Sequence, residues 1–349
     1  MYASRAAGSV TPARPNTALR AADGTRGSHS ARPPGGAHDA TPRRYSARTS
    51  PNHDRRFGRP HVSPRRNARA TVSARPAARG KTRALGQHFL RDDVVAQRIV
   101  GLVAPTRRDL VVEIGPGRGA LTGHLARRAG RLLALEVDAG LAAALLDRVP
   151  PSPHTEIIEA DARRFDFSRL REELPDPEGR VLAVGNLPYS AGKPILMALV
   201  EAGRAVEEMA LMLQKEVAER VAAVPGSKAY GALSVLTQIA CEVTLAFTVP
   251  PGAFTPPPRV DSAVIHLRVR TAPPVPIADP RRFGVIVRAA FGQRRKNLAN
   301  ALAAGLALPV DEARRLVDAA GLDSTCRAET LSLSEFASLA DSLRGWAPR

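Results

Sequence analysis

Between residues 110 and 213 the chain switches repeatedly from short, almost wholly apolar runs to longer stretches in which apolar residues recur every three or four positions, and few folds tolerate that rhythm. The runs at 110–114, 131–137, 155–159, 180–184 and 206–213 read as strands, and 120–129, 139–149 and 194–202 read as helices between them. Unbroken apolar strands suit a sheet covered on both faces, so the prediction is a doubly wound, mostly parallel α/β sheet of Rossmann-like type. Two further strand-like runs, 241–249 and 262–270, flank the proline-rich segment 250–258 and predict an antiparallel pair at one sheet edge. A second break at 271–280 holds four prolines, and beyond it 282–291, 296–304, 310–319 and 332–342 carry helical periodicity. The expected organisation is an α/β domain over 81–271 and a small all-helical domain over 272–349.

Charge has to be divided along the chain before it means anything. Segment 1–80 contains 16 arginines, no lysine, three aspartates and no glutamate, whereas segment 81–349 carries 35 basic and 30 acidic groups. A net charge of +18 for the whole is thus mostly a property of the N-terminal segment. Its Arg, Pro, Ser and Ala-rich composition lacks a periodic apolar pattern and predicts a disordered basic extension. It fits a basic RNA-binding tail or an organellar transit peptide, and fits better than either a dispensable extension or residues upstream of the true start; the continuous apolar stretch of a secretory signal is not there. No apolar run reaches the roughly 20 residues of a membrane span. Cys241 and Cys326 are too few and too far apart for a disulfide framework or a metal cluster.

Glu113-Ile114-Gly115-Pro116-Gly117-Arg118-Gly119-Ala120 lies between a predicted strand and a predicted helix, where glycines let the backbone turn tightly against a ligand. Gly115 and Gly117, with Glu136 placed where a ribose-binding acid is expected, also fit a nicotinamide dinucleotide fingerprint. Glu136 ends the next strand, where an acid can accept hydrogen bonds from both hydroxyls of an adenosine ribose. Asp161 follows the third strand and can accept a proton of an adenine amino group. That third contact favours an adenosyl ligand without a second nucleotide.

The fourth strand runs into Asn186-Leu187-Pro188-Tyr189-Ser190, and here the chemistry separates from hydride transfer. The exocyclic amine of adenine is a weak nucleophile because its lone pair is delocalised into the ring. The Asn186 side-chain oxygen and the main-chain oxygen of Leu187 or Pro188 can accept its two protons and turn the nitrogen toward a sulfonium methyl. Pro188 fixes the turn, and Tyr189 offers a face on which a flipped base can stack. Catalysis is then positioning, with no metal and no dedicated base.

At these residues the chain resembles the small-subunit ribosomal RNA adenine dimethyltransferases, whose loss gives kasugamycin resistance in bacteria. The resemblance spans roughly positions 83–342 and rests on Leu85-Gly86-Gln87-His88-Phe89-Leu90, Glu113 to Gly119, Asn186 to Tyr189, Phe254 to Ser262, Phe291 to Leu298 and Arg327 to Ser332. It implies a class I S-adenosylmethionine-dependent methyltransferase sheet, with His88, Leu90, Gly115, Gly117, Glu136, Asp161 and Asn186 around S-adenosylmethionine. It further implies Phe254 as a second aromatic wall of the base pocket and Arg294, Arg295 and Lys296 as RNA phosphate contacts. The family often has Asn where His88 stands, so a main-chain contact there would survive and an amide contact would not. The implied reaction is dimethylation of N6 in two adjacent adenines of the 3′-terminal hairpin of small-subunit rRNA. The partner would be the assembling small ribosomal subunit, met by a cytoplasmic monomer, with organellar import the minority alternative. The rivals are a large-subunit enzyme of the erythromycin-resistance type and a non-catalytic assembly or mitochondrial transcription factor on the same fold.

Overall fold

The structure, a computed structural model, describes residues 87–149 and 152–343. The expected extension over 1–80 lies outside the described residues. In chain order the first half contains β1 (Phe89–Leu90), α1 (Asp93–Val103), β2 (Leu110–Ile114), α2 (Thr122–Arg128), β3 (Arg131–Glu136), α3 (Ala139–Leu146), β4 (Thr155–Glu159) and β5 (Val181–Asn186). There follow α4 (Gly192–Glu201), β6 (Glu208–Gln214), α5 (Lys215–Val221), α6 (Ala232–Ala240), β7 (Cys241–Val249), β8 (Phe254–Thr255) and β9 (Ser262–Val269). Four helices close the described chain: α7 (Pro280–Gly292), α8 (Leu298–Leu306), α9 (Val310–Ala319) and α10 (Leu333–Ser342).

Seven strands form one sheet in the order β4-β3-β2-β5-β6-β9-β7, parallel from β4 to β6. The last two expected strands do make an antiparallel pair at the edge: β9 lies between β6 and β7 and is antiparallel to both. Side chains alternate between the faces with period two. Val112, Ile114, Ala183 and Leu211 point into one core with Leu196 and Val217, while Val111, Leu182, Val184 and Ala210 point into another with Ile99 and Leu125. Covered on both sides, β2 has every residue buried, which is why it is apolar without alternation.

Local sequence sets the helix starts. Asp92 caps α1 through the Val94 and Val95 amides, Asp138 caps α3, Asp279 precedes Pro280 at the start of α7, and Ser332 with Glu335 forms a capping box on α10. Helices α7 to α10 share a third core built on Phe283, Leu302 and Phe336, and that core also recruits Tyr230, Val235 and Ile239 from α6 and its approach. Packing therefore reaches back across the expected boundary at residue 271. No helix among the described residues is long and apolar enough to cross a membrane.

Candidate active site

The chain runs from β2 outward to β4 on one side and from β5 outward on the other, so the loops after β2 and β5 part company above adjacent strand ends, where Ile114 pairs with Gly185. A crevice opens at such a reversal, and a cavity here is lined by the glycine loop, the ends of β3 and β5, and the segment around β1. Gly115, Gly117 and Gly119 all have positive φ, at 64°, 56° and 86°. The Gly117 amide donates to Glu136 Oε2 at 3.0 Å. From above, the Phe89 ring presses on the loop so closely that a Cβ on Gly117 would sit 3.0 Å from its Cδ1.

Three carboxylates face the cavity in different states. Glu136 is 2% exposed; burial raises its pKa, opposed by amide hydrogen bonds from Asp138 and Gly117. Asp161 is held below the usual carboxylate range by Arg163, whose Nε and Nη2 donate to both its oxygens at 2.6–3.0 Å. Glu113 was not among the sequence candidates. It is 1% exposed, its side-chain oxygens make no hydrogen bond of normal geometry, and burial pushes its pKa up to about 8, opposed by the neighbouring Thr122 hydroxyl and helped by the Glu136 charge. An acid inside an otherwise apolar strand was its sequence signal. Gln87 Oε1, also on the lining, is a further buried acceptor without a partner.

On the other wall Asn186 ends β5 and donates from Nδ2 to the main-chain oxygen of His88 at 3.0 Å. The bond fixes which way the amide points, leaving Oδ1 as the uncommitted acceptor. His88 thus acts through its backbone, while its ring takes Nδ1 to the Pro256 carbonyl at 2.8 Å and lies 5.5 Å from the Tyr189 ring. Tyr189 is held at its hydroxyl by Ser262 Oγ, 2.7 Å away at the start of β9. Pro188 offers a carbonyl that already accepts from the Ala191 amide at 2.9 Å, so Leu187 is the freer main-chain acceptor. Leu90 is buried and lines the same cavity.

Other expected residues fall elsewhere. Phe254 pairs with Leu90 across β1 and β8, is 2% exposed within the core beneath α1, and does not line the cavity. Arg294, Arg295 and Lys296 occupy the exposed turn between α7 and α8, before the Asn297 cap rather than on the helix. Arg294 is already engaged by the Lys228 carbonyl and Glu329.

The cavity is rich in acceptors. Orphaned oxygens on Glu113 and Gln87, with Glu136 beside them, suit a ligand bearing cationic and donor groups, such as an ammonium, a sulfonium and ribose hydroxyls, and S-adenosylmethionine carries all three.

Comparison with known proteins points the same way. A family model described as ribosomal RNA adenine dimethylase matches residues 79–344. Over 259 residues the chain is 47% identical to ribosomal RNA small subunit methyltransferase A of Xanthomonas campestris pv. campestris (strain B100), covering 74% of this chain and 95% of that protein. Among solved structures, a dimethyladenosine transferase from Plasmodium falciparum superposes with a TM-score of 0.60 at 23% identity, covering 74% of this chain and 98% of that one. The 23S rRNA methyltransferase ErmE superposes with a TM-score of 0.54 at 27% identity, covering 73% and 99%.

Proposed function

The chain belongs to the ribosomal RNA adenine dimethylase family, and from that premise we propose that it dimethylates N6 of two adjacent adenines in the 3′-terminal hairpin loop of small-subunit rRNA. The small-subunit choice is supported by relatives of that name at 47% identity, against 27% for the 23S enzyme. S-adenosylmethionine, when bound, supplies an electrophilic methyl group.

The rest of the mechanism belongs to the chain's own side chains. Glu136 receives the ribose hydroxyls, Asp161 the adenine amine of the cofactor, and Gly115 and Gly117 let the loop backbone come close; His88 and Leu90 border the entrance. Asn186 Oδ1 and the Leu187 carbonyl accept the target amine's two protons and turn its lone pair out of conjugation with the ring. Tyr189, fixed at its hydroxyl, carries the flipped base on its face. Pro188 holds the turn. Once alkylated, the amine nitrogen is acidic enough to release its surplus proton to water, so no base is needed. The helical region over 272–349 helps to hold RNA, with Arg295 and Lys296 contacting phosphate.

One observation carries this reading: the Asn186 amide is clamped at its donor end by the His88 carbonyl and so presents an acceptor. The test is transfer of labelled methyl groups to undermethylated small and large ribosomal subunits offered separately, with the modified nucleotide mapped. Dimethyladenosine confined to the small-subunit 3′ hairpin is expected. Label only in the large subunit would replace the substrate assignment, and none in either from a cofactor-bound protein would remove the enzymatic one.

A further inference from the structure

Behind the glycine loop, on the side away from β5, a second groove runs beside α2 and α3 toward the start of β4. Arg107, Arg118, Arg127, Arg148 and His154 line it, all exposed, and no carboxylate does. None of the four guanidiniums has a carboxylate within salt-bridge distance among the described residues. Just outside the groove the pattern reverses: Arg108 pairs with Asp176 at 2.7 Å, and Arg131 with Glu173 at 2.8 Å and Glu156 at 3.3 Å. Positive charge is neutralised around the groove and left standing within it.

Two of the groove's arginines are held by a main-chain oxygen and by a ring nitrogen. Arg107 donates to the Ala129 carbonyl at 2.8 Å, Arg127 meets His124 Nδ1 at 3.0 Å, and a Cβ on Gly123 would lie 3.6 Å from Arg127 Nη1. The His124 ring in turn meets Asp93 at 2.6 Å, so Arg127 feels that carboxylate at a distance, whereas the carbonyl held by Arg107 brings no counter-charge. Arg118 lines both the groove and the cavity behind the glycine loop, so the two adjoin at that side chain.

We propose that this groove binds the sugar-phosphate backbone of the RNA substrate, at nucleotides away from the target adenines; the proposal rests on the reading of an RNA substrate given above. Planar guanidiniums suit phosphate oxygens, and several unpaired ones in a row suit a polyanion better than a single ion. Gly123 and Ala126, both half-buried on the lining, keep bulky side chains off this stretch of the groove wall. The chain's own segment 1–80 is excluded as occupant by its excess of arginine, which the groove would repel.

The test measures binding of undermethylated small subunits, and of protein-free small-subunit rRNA, as a function of salt for wild type, R127Q/R148Q and R127K/R148K. The glutamine variant should bind both probes about tenfold more weakly at roughly 0.1 M salt, with the slope of log K against log salt shallower by about 1.5–2. Its affinity for S-adenosylmethionine should be unchanged, and the lysine variant should keep most of the wild-type slope. Wild-type affinity and slope in R127Q/R148Q, from an otherwise active protein, would overturn the groove alone. A loss seen with intact subunits but not with bare rRNA would assign the groove to an acidic ribosomal protein and overturn it too. A wild-type protein that neither binds nor methylates small subunits would overturn the RNA reading and the groove with it.

Discussion

At the scale of single residues, the proposed mechanism gives the cofactor and the base to different side chains, and substitutions can tell the two apart. Asn186→Ala removes the oriented acceptor, so methyl transfer should fall by about 100-fold or more while the S-adenosylmethionine dissociation constant changes by less than about threefold. Full activity in that variant would remove the amine-orienting role. His88→Ala keeps the carbonyl that anchors Asn186 and loses only the ring contacts to Pro256 and Tyr189, so its activity should drop less than about tenfold. Glu113 makes the opposite kind of prediction. Its folded pKa, about 8, lies above the unfolded value, so the folded state binds the extra proton and stability falls as pH rises from about 4.5 toward 8. Glu113→Gln should therefore stabilise the ligand-free protein by about 2 kcal/mol near pH 7, flatten that pH dependence and weaken cofactor binding. Thermal melts from pH 5 to 8 and calorimetric titration check both halves; a destabilised variant with unchanged affinity would count against the assignment. Glu136 and Asn186 were readable as candidates because each ends a strand, and Asp161 because it follows one by two residues. Glu113 was hidden in the strand itself, where an acid reads as an interruption rather than as a ligand group.

Among the elements, the short clasp of β1 and β8 does more than its length suggests. Leu90 and Phe254 face each other across it, and Phe89 is left lying on the glycine loop. Gly117→Ala would need a positive φ from an L residue and push on Phe89, so cofactor affinity should fall by about tenfold or more. Adding Phe89→Ala should restore part of it, which titration of the single and double variants would reveal. The central strands were legible because burial on both faces makes them apolar throughout, and α8 to α10 because a helix against one core keeps a clear stripe. The clasp was not legible: strands this short have no periodicity, and their pairing is fixed by partners far apart in the sequence. For the same reason the resemblance alone puts Phe254 on the base-pocket wall, whereas its pairing in β8 puts it in the core beneath α1. Helix α1 was missed although Val95, Ile99 and Val103 carry its stripe, since Asp92 as its cap is recognisable only once the helix is.

Across the whole molecule, the end of the sheet opposite the site is tied by charge. Arg180, before β5, donates to Asp109 before β2 at 2.9 Å and to Glu208 on β6 at 2.7 Å, and Glu208 also receives His266 and Arg268 from β9. Burial would raise the Asp109 pKa, but hydrogen bonds from Arg180 and Thr106 more than offset this and hold it below the usual range. With the folded value depressed, its contribution is present above the unfolded pKa and lost as pH falls through the folded one. Asp109→Asn should cost about 2–3 kcal/mol at pH 7, less than a fully buried pair because Arg180 is partly exposed, and little at the acid end, as urea melts at pH 7 and pH 3 would measure. The place of β9 has a consequence for how the protein is made. During synthesis β7 emerges before the strand it must pair with, and β6 keeps an open edge until residue 262 arrives. Ser262, which holds the Tyr189 hydroxyl, comes with that strand. On the nascent chain the glycine loop, Glu136 and Asp161, which the proposed mechanism gives to the cofactor, are made about a hundred residues before Ser262, the last support of the ring proposed to carry the base.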